Sequence, residues 1–196
     1  MSDDREEILI SVDVETAGPI PGEYSMLSIG ACLVSDPTRT FACELKPIND
    51  NAVPEALAVS GLSLDHLART GLAPADAMSA FATWVQDVTG SAEPVFVGFN
   101  APFDWSFINY YFHRYTGANP FGFTALDIKA LWMGITGCRW ADTKSSSIAR
   151  AVETRLVGDH DALHDALYQA DLLRLMLAKR DDGERSPTGS TLKCSR

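Results

Sequence analysis

One stretch near the N-terminus constrains the fold of this chain more than any other. Residues 8–16 read I-L-I-S-V-D-V-E-T, a run of aliphatic and β-branched residues that ends with two closely spaced carboxylates. Because the side chains of a strand alternate between its faces, Asp13 and Glu15 would share one face, and the valines beside them would enter a core on the other. Mg²⁺ and Mn²⁺ prefer hard oxygen ligands held in fixed geometry. The stretch therefore predicts a buried strand, with either a divalent-metal site at its end or two acids that simply reach water.

The composition is typical of one globular domain. The chain has 196 residues, 46% of them hydrophobic, and a mean hydropathy close to zero. No apolar run approaches the roughly 20 residues that cross a bilayer, and the N-terminus M-S-D-D-R-E-E is too acidic for a signal peptide. The four cysteines lack C-x-x-C spacing, which favours reduced thiols over a zinc cluster or disulfides. We expect a cytoplasmic protein with no membrane partner.

The charge of the chain is unevenly distributed. The formal net charge of −10 argues against a broad, non-specific grip on nucleic acid. Residues 129–155, however, carry five bases against two acids. A local basic rim beside an acidic metal site would suit a phosphodiester substrate, and the alternative is an ordinary solvated face.

The order of the predicted elements indicates one mixed sheet with helices on its faces. Three strand patterns with short links come first and predict an antiparallel meander. The predicted strands are residues 8–16, 25–34, 40–45, 94–99 and 124–128. The predicted helices are residues 55–59, 63–68, 74–88, 101–115, 129–135, 144–156 and 163–179. Residues 180–196 are polar and poor in apolar side chains, which predicts a disordered tail.

A third acid follows the fourth predicted strand. Residues 97–108 read V-G-F-N-A-P-F-D-W-S-F-I, and Asp104 falls in the first turn of the helix that begins there. An acid at this position also interacts favourably with the helix dipole. The residue is therefore either a helix-stabilising acid or a member of a site.

The stretch H-D-A-L-H-D-A-L-Y-Q-A-D, residues 160–171, permits two pairings. His160 and His164 are four apart and could share one helical face, as in the zinc motif H-E-x-x-H. That motif needs a glutamate where Asp161 stands, and no third zinc ligand is identifiable. Alternatively, His160 precedes the helix and reaches the same site as Asp165 inside it, because five helical positions would turn them about 500° apart.

Taken together, these stretches resemble the three motifs of the DEDDh 3′→5′ exonucleases, a DnaQ-like group. The resemblance rests on D-V-E-T at 13–16, F-N-A-P-F-D at 99–104 and H-D-A-L-H-D-A at 160–166, with weaker similarity at 55–63 and 126–131. It spans roughly residues 8–179. It implies an exonuclease domain over residues 1–179 with the α/β RNase H-like fold, a five-stranded mixed β-sheet flanked by α-helices.

The resemblance also implies roles for the site residues. Asp13, Glu15, Asp104 and Asp165 would bind two divalent ions, Mg²⁺ or Mn²⁺, and His160 would be the general base. Histidine suits that role because its unperturbed pKa is about 6.5. His164 is then expected on the helix surface and Asp161 has no catalytic role, while Asp127 and Asp171 are expected to be supporting or structural acids.

The implied substrate is the 3′ end of single-stranded or frayed DNA or RNA, cleaved to nucleoside monophosphates. Five residues are predicted to bind it: Thr16, Ala17, Gly18, Asn100 and Phe103. Where family members have E-T-T-G followed by an apolar residue that wedges against the terminal base, this chain has E-T-A-G-P-I-P-G-E-Y.

The sequence does not decide which residues would contact the bases. Ile20 and Tyr24 are the candidates for the wedge. Phe103, Trp105 and Trp140 are candidates for stacking on bases, as aromatic residues do in proteins that bind single strands. For Phe103, packing in the helix core is the alternative.

Two other functions are compatible with parts of the pattern. One is a nucleic-acid-binding or polymerase-associated module that has kept the fold and lost turnover; the presence of all five site residues argues against it. The other is a zinc hydrolase built on His160 and His164. The sequence does not separate DNA from RNA, and a homodimer or a polymerase partner is equally open.

Overall fold

The computed structural model describes residues 6–185, and the fold is a five-stranded mixed sheet with helices on both faces. The strands are β1 (Glu7–Thr16), β2 (Met26–Leu33), β3 (Thr40–Glu44), β4 (Glu93–Gly98) and β5 (Ala125–Asp127). The sheet order is β3-β2-β1-β4-β5. The first three strands form the predicted antiparallel meander, and β4 and β5 run parallel to β1. The predicted mixed sheet is confirmed.

Seven α-helices connect and cover these strands within the described residues. They are α1 (Pro54–Ser60), α2 (Leu64–Thr70), α3 (Pro74–Thr89), α4 (Pro102–Tyr115), α5 (Ile128–Thr136), α6 (Ser145–Val152) and α7 (Ala162–Arg185), with a short 3₁₀ turn at Trp140–Asp142. None of the helices described is long and apolar enough to cross a membrane.

The alternation of β1 separates two cores. Ile10, Val12 and Val14 pack on one face with residues of α3 and α4 such as Phe81 and Phe112. The opposite face contributes to a second core with α5, α6 and α7. Because Asp13 and Glu15 have the other parity, they point toward the α7 side. The period of two in the sequence thus places both carboxylates on one face, as predicted.

The N-terminal end of α7 lies against the middle of the sheet at a glycine. A Cβ atom at Gly30 in β2 would stand 2.1 Å from the carbonyl carbon of Ala162. One turn further along, the Cys32 thiol donates to the carbonyl oxygen of Ala166 at 3.5 Å. Only a residue without a side chain allows this approach, which brings the start of α7 beside β1.

Two predicted boundaries differ from the structure by more than two residues. The helix predicted over 144–156 ends at Val152 because Glu153 takes a left-handed conformation, φ 63°, and its N–H caps the carbonyl of Ala149. The last helix continues to Arg185 rather than ending at 179. Residues 180–185 of the predicted tail are therefore helical in the structure, since each residue added to an existing helix contributes a backbone hydrogen bond even without an apolar face. The remainder of the predicted tail, 186–196, lies outside the described residues.

Candidate active site

The three motifs meet at one end of the sheet, around a cleft of about 480 Å³ that we call the central cleft. Asp13 and Glu15 lie near the end of β1, Asp104 is in the first turn of α4, and Asp165 is in the first turn of α7. His160, just before α7, completes the lining. Because β1 and β4 are parallel, both strands finish at the same end of the sheet. The start of α4, which follows β4, therefore lies beside the end of β1.

The turn between β4 and α4 determines where Asp104 lies. The strand ends at Gly98, and Asn100 takes a left-handed conformation with φ 63°. This turns the chain so that α4 begins with Pro102, in a position that helix starts tolerate. A non-glycine residue at positive φ is uncommon, and asparagine is among the residues that accept it best.

Asp104 is buried, with only 5% of its surface exposed, and is bonded to the neighbouring strand. Its Oδ1 accepts the backbone N–H of Val14 at 3.2 Å. Val14 is the residue between Asp13 and Glu15, so this bond ties α4 to β1 at the level of both carboxylates. The first motif and the second are therefore held in fixed relation by the backbone itself.

Gln169 holds the side chain of Asp13. Its Nε2 donates to Asp13 Oδ1 at 2.6 Å, and its Oε1 accepts the backbone N–H of Phe99 at 2.9 Å. Because a backbone N–H can only donate, the amide oxygen must face Phe99 and the NH₂ group must face Asp13. Gln169 is 4% exposed and lies one helical turn after Asp165, so it reaches the same cleft.

The segment before α7 carries the histidine. His160 has φ 63°, and the Asp165 carboxylate accepts the backbone N–H groups of Asp159 (2.9 Å) and His160 (3.2 Å). One acid therefore belongs to the site and also fixes the loop that carries His160. Ligand atoms of Glu15, His160 and Asp165 all lie within 4.8 Å of one another.

Asp161 and His164, the other aspartate and the other histidine of this motif, have partners close to them in the chain, at the start of α7. Asp161 caps α7, because its Oδ1 accepts the N–H groups of Leu163 and His164, each at 3.0 Å. The His164 ring is exposed and its Nδ1 lies 3.0 Å from Asp159 Oδ2, which raises the pKa of His164. His164 is thus paired on the helix surface. The group of possible metal ligands, Glu15, His160 and Asp165, does not include it.

Burial and mutual repulsion make the acids reluctant to ionise together. Burial, with the added repulsion of Asp104, Asp165 and Glu15, raises the pKa of Asp13 well above its usual value, and Gln169 opposes this shift. Burial raises the pKa of Glu15 to about 7, with Asp165 adding to it. Burial also raises the pKa of Asp104 to about 7. Crowded carboxylates with hard oxygen donors fit divalent cations, which would relieve the repulsion.

The two acids expected in supporting roles are structural. Asp127 caps the start of α5 and accepts the backbone N–H of Ala101 at 2.7 Å, which steadies the turn before α4. Asp171 accepts the Thr154 hydroxyl at 2.5 Å and pairs with Arg174 at 2.7 Å. The second arrangement joins α7 to the segment after α6, away from the carboxylate cluster.

The predicted substrate residues of the first motif have their polar groups engaged within the protein. Ala17 is buried; its N–H donates to Ser25 O at 2.8 Å and its carbonyl accepts Val53 N–H at 2.7 Å. The Thr16 hydroxyl donates to Gly18 O at 3.0 Å. The described lining of the central cleft does not include Thr16, Ala17 or Gly18. Their binding of substrate stays a prediction, and for the backbone of Ala17 it would require existing bonds to break.

The candidates for the wedge differ in exposure. Ile20 is 51% exposed. Tyr24 is half-buried, and its ring covers Gly18 so closely that a Cβ there would stand 2.5 Å from ring carbons. The packing of Tyr24 against the cluster around Ala17 leaves Ile20 as the freer apolar side chain in this loop.

The aromatic candidates for base stacking also differ in exposure and packing. Asn100 and Phe103 both line the central cleft, and Phe103 is 36% exposed. Trp105 packs edge-to-face on Phe96, with ring centroids 5.2 Å apart, and belongs to the first core. Trp140 is 51% exposed, in the turn after α5.

Solved structures of nucleases share this fold. The nuclease domain of 3′hExo, a DEDDh family member bound to rAMP, matches with TM-score 0.73 and 12% identity, over 91% of this chain and 95% of that one. S. pombe Pop2p in its Mg²⁺- and Mn²⁺-bound form matches with TM-score 0.63 and 18% identity, over 93% and 85%. E. coli Exonuclease I with a dT13 oligonucleotide matches with TM-score 0.68 and 17% identity, over 90% and 42%. The RNase H-like fold is confirmed.

A relative with a closer sequence decides the family. No protein-family model matches the chain. The chain is, however, 58% identical to the 3′-5′ DNA exonuclease Cap18 of Escherichia coli over 172 residues, which cover 87% of this chain and 92% of that protein. The chain belongs to the DEDDh 3′→5′ exonucleases. As a member it is a 3′→5′ exonuclease. Its cluster of carboxylates offers the hard oxygen donors that divalent ions prefer.

Several residues around this DEDDh site carry no signal in the three motifs. The structure adds Ser145, Ser146, Val157, Tyr168 and Gln169 to the lining of the central cleft. The first two begin α6, and the third precedes the histidine loop and is 79% exposed. Only Gln169 had a usable sequence signal, its helical spacing of four from Asp165.

Proposed function

We propose that this DEDDh exonuclease removes nucleoside monophosphates from the 3′ ends of single-stranded or frayed DNA. The observation that carries the proposal is the convergence of all five motif residues on one open cleft: Asp13, Glu15, Asp104, His160 and Asp165. The choice of DNA is supported by the 58% identity to a protein named as a DNA exonuclease. RNA is the alternative substrate, since the site residues alone do not distinguish the two sugars.

Asp13, Glu15, Asp104 and Asp165 would hold two Mg²⁺ or Mn²⁺ ions in this proposal. When bound, such ions supply a nucleophilic hydroxide at neutral pH and stabilise charge on the scissile phosphate and on the leaving oxygen. The protein contributes preorganisation. Asp13 is held by Gln169 at 2.6 Å and Asp104 by the Val14 N–H at 3.2 Å, so neither carboxylate needs to be reoriented when the substrate arrives.

His160 would accept the proton of the attacking water. Its backbone is anchored to Asp165, and its ring lies at the open side of the central cleft among the acids. An imidazole in reach of a reacting water is the usual general base near neutral pH. Asn100 and Phe103 line the same cleft and would contact the terminal nucleotide, to which Phe103 offers an exposed ring for stacking.

A gel assay with 5′-labelled single-stranded DNA and RNA oligonucleotides tests the proposal. It uses Mg²⁺, Mn²⁺ and EDTA in parallel, with His160→Ala and His164→Ala as matched variants. We expect a metal-dependent ladder shortening from the 3′ end, faster on DNA, lost in His160→Ala and kept in His164→Ala. Equal or faster shortening of RNA would overturn the choice of DNA, and an active His160→Ala enzyme would overturn the assignment of the base.

A further inference from the structure

A lysine and two aromatic rings lie together at the edge of the central cleft. Lys129, in the first turn of α5, places its Nζ 4.4 Å from the centroid of the Trp140 ring and 5.8 Å from that of Phe99. Phe99 itself lines the central cleft. Lys129 and Trp140, which we call the Lys129–Trp140 patch, therefore continue the wall of the cleft onto the outer surface.

Within the described part of the chain, Lys129 forms no ion pair with a neighbouring acid. The ion pairs found within residues 6–185 do not involve it, whereas Arg139, in the same region, pairs with Asp142 at 3.0 Å. An ammonium resting on aromatic faces keeps N–H donors that can reach an anion. In a chain of net charge −10, a free cation beside the cleft is a local attraction for a polyanion.

Trp140 is exposed although the turn that carries it is well fixed. The carbonyl of Trp140 accepts both the N–H of Thr143 at 3.1 Å and its hydroxyl at 2.8 Å. The Arg139–Asp142 pair spans the same turn. The 51% exposure of the indole is thus a feature of an ordered turn, and an exposed, held aromatic ring is what a stacked base requires.

The other exit from the catalytic residues has the opposite electrostatic character. Glu15 and His160 also line a second groove of about 670 Å³, whose walls include the acids Glu44, Asp159 and Asp161. His164 also lines this groove but is paired with Asp159, so phosphates entering there would meet an excess of carboxylates. A strand of several nucleotides is therefore favoured on the side of Lys129, and the acidic groove is disfavoured for it.

We propose that the Lys129–Trp140 patch is a substrate subsite for the strand on the 5′ side of the scissile phosphate. Lys129 contacts a backbone phosphate there and Trp140 stacks on a base. The inference rests on the proposed nuclease function and adds to it a place where strand length is sensed. A subsite of this kind lowers KM for longer strands and leaves the terminal phosphodiester chemistry unchanged.

The test compares a substrate that lacks upstream nucleotides with substrates that have them. The first is the p-nitrophenyl ester of thymidine 5′-monophosphate, and the others are single-stranded DNA oligonucleotides of increasing length. The variants are Trp140→Ala, Trp140→Phe and Lys129→Ala. Phe123→Ala and Arg114→Ala are matched controls, since Phe123 is an 87% exposed aromatic before β5 and Arg114 an exposed base at the end of α4.

For the longest oligonucleotide we expect KM to rise about 5- to 100-fold in Trp140→Ala, the range for loss of one stacked base, with recovery in Trp140→Phe. For Lys129→Ala the slope of log KM against log salt should fall by about 0.7, as for one lost single-strand phosphate contact. Hydrolysis of the p-nitrophenyl ester should be unchanged in both, and both controls should behave as wild type.

Two kinetic outcomes would overturn the inference. One is an equal loss on the ester and on the oligonucleotides, which would mean that the patch only supports the cleft. The other is unchanged KM at every length. If the wild-type enzyme cleaves neither substrate, the proposed function fails, and fluorescence anisotropy of a labelled oligonucleotide in Ca²⁺ then decides the subsite. Equal affinity of wild type and Trp140→Ala in that measurement would also overturn it.

Discussion

The two halves of the carboxylate cluster are built differently. On the β1–α4 side, Asp13 and Asp104 are held by hydrogen bonds from Gln169 and from the Val14 backbone. On the α7 side, His160 lies on an exposed loop with φ 63°, tied down through the Asp165 carboxylate. The first half is positioned by packed core elements and the second by a short strained segment. In the proposed mechanism, the acids of the first half would bind metal together with Asp165 from the second half. His160, the proposed base, lies in the half that faces solvent.

The largest effect is expected from removing an acid of the rigid half. Asp13→Ala should lower cleavage about 1,000-fold or more, since it removes a proposed ligand of the ions that would stabilise charge on the reacting phosphate. In EDTA the same variant should unfold at a higher temperature than wild type, because it relieves repulsion among buried carboxylates. Gel assays and thermal unfolding in EDTA check the two parts. A lower unfolding temperature would show that the Asp13 hydrogen bond outweighs the repulsion.

Removing the base from the exposed half should affect chemistry alone. His160→Ala should lower kcat about 100- to 10,000-fold, the contribution of a positioned general base. Mn²⁺ affinity, measured by calorimetric titration, should change little, because the acids remain in place. The matched variant His164→Ala removes an exposed histidine paired with Asp159 and should keep near-normal kcat. An inactive His164→Ala enzyme would reverse the roles of the two histidines.

Variants of Gln169 test whether the position of Asp13 on the β1–α4 side depends on its hydrogen bond. Gln169→Leu should weaken Mn²⁺ binding about 10- to 100-fold, as loss of a residue that orients a ligand does. Gln169→Glu should weaken it as well, since its carboxylate cannot donate to Asp13 when ionised. Calorimetric titration with Mn²⁺ gives the readout independently of turnover. Wild-type affinity in Gln169→Leu would mean that packing alone orients Asp13.

A smaller effect is expected from pH when metal is absent. Glu15 and Asp104 have pKa values raised to about 7 from usual values of 4.5 and 3.8. At pH values between the usual and the raised pKa, the native state binds more protons than the unfolded state. The free energy of unfolding should therefore fall as pH rises through this window to about 7. Mn²⁺ should restore the loss, with a larger rise in unfolding temperature at pH 8 than at pH 5. Thermal unfolding in EDTA and in Mn²⁺ at both pH values measures this, and an equal rise at the two would contradict it.

Much of the fold was predictable because its signals are local. Period-two alternation placed Asp13 and Glu15 on one face of a strand. The spacing of apolar residues located the helices, and the boundaries failed where a single backbone conformation ended α6 at Val152. The helix ends there because Glu153 adopts φ 63°, and no residue pattern in the sequence indicated this conformation.

The surroundings of the predicted substrate residues were less predictable, because exposure and bonding depend on what each residue packs against. Trp105 and Trp140 are the same residue type, yet one lies in the core against Phe96 and the other is 51% exposed. The backbone groups of Ala17 are used by distant segments, which a motif cannot show. Exposure and hydrogen-bond partners are properties of the assembled chain.

By itself the sequence determined which acids and which histidine belong together, since their types and order were sufficient to indicate the family. Tertiary structure alone decided what holds them and which other side chains lie beside them. The contact of α7 with Gly30, the Gln169 bridge and the position of Lys129 over Trp140 join residues far apart in the chain. Local patterns report the periodicity of one element, whereas a site is formed by elements whose mutual positions are set by packing and close approach.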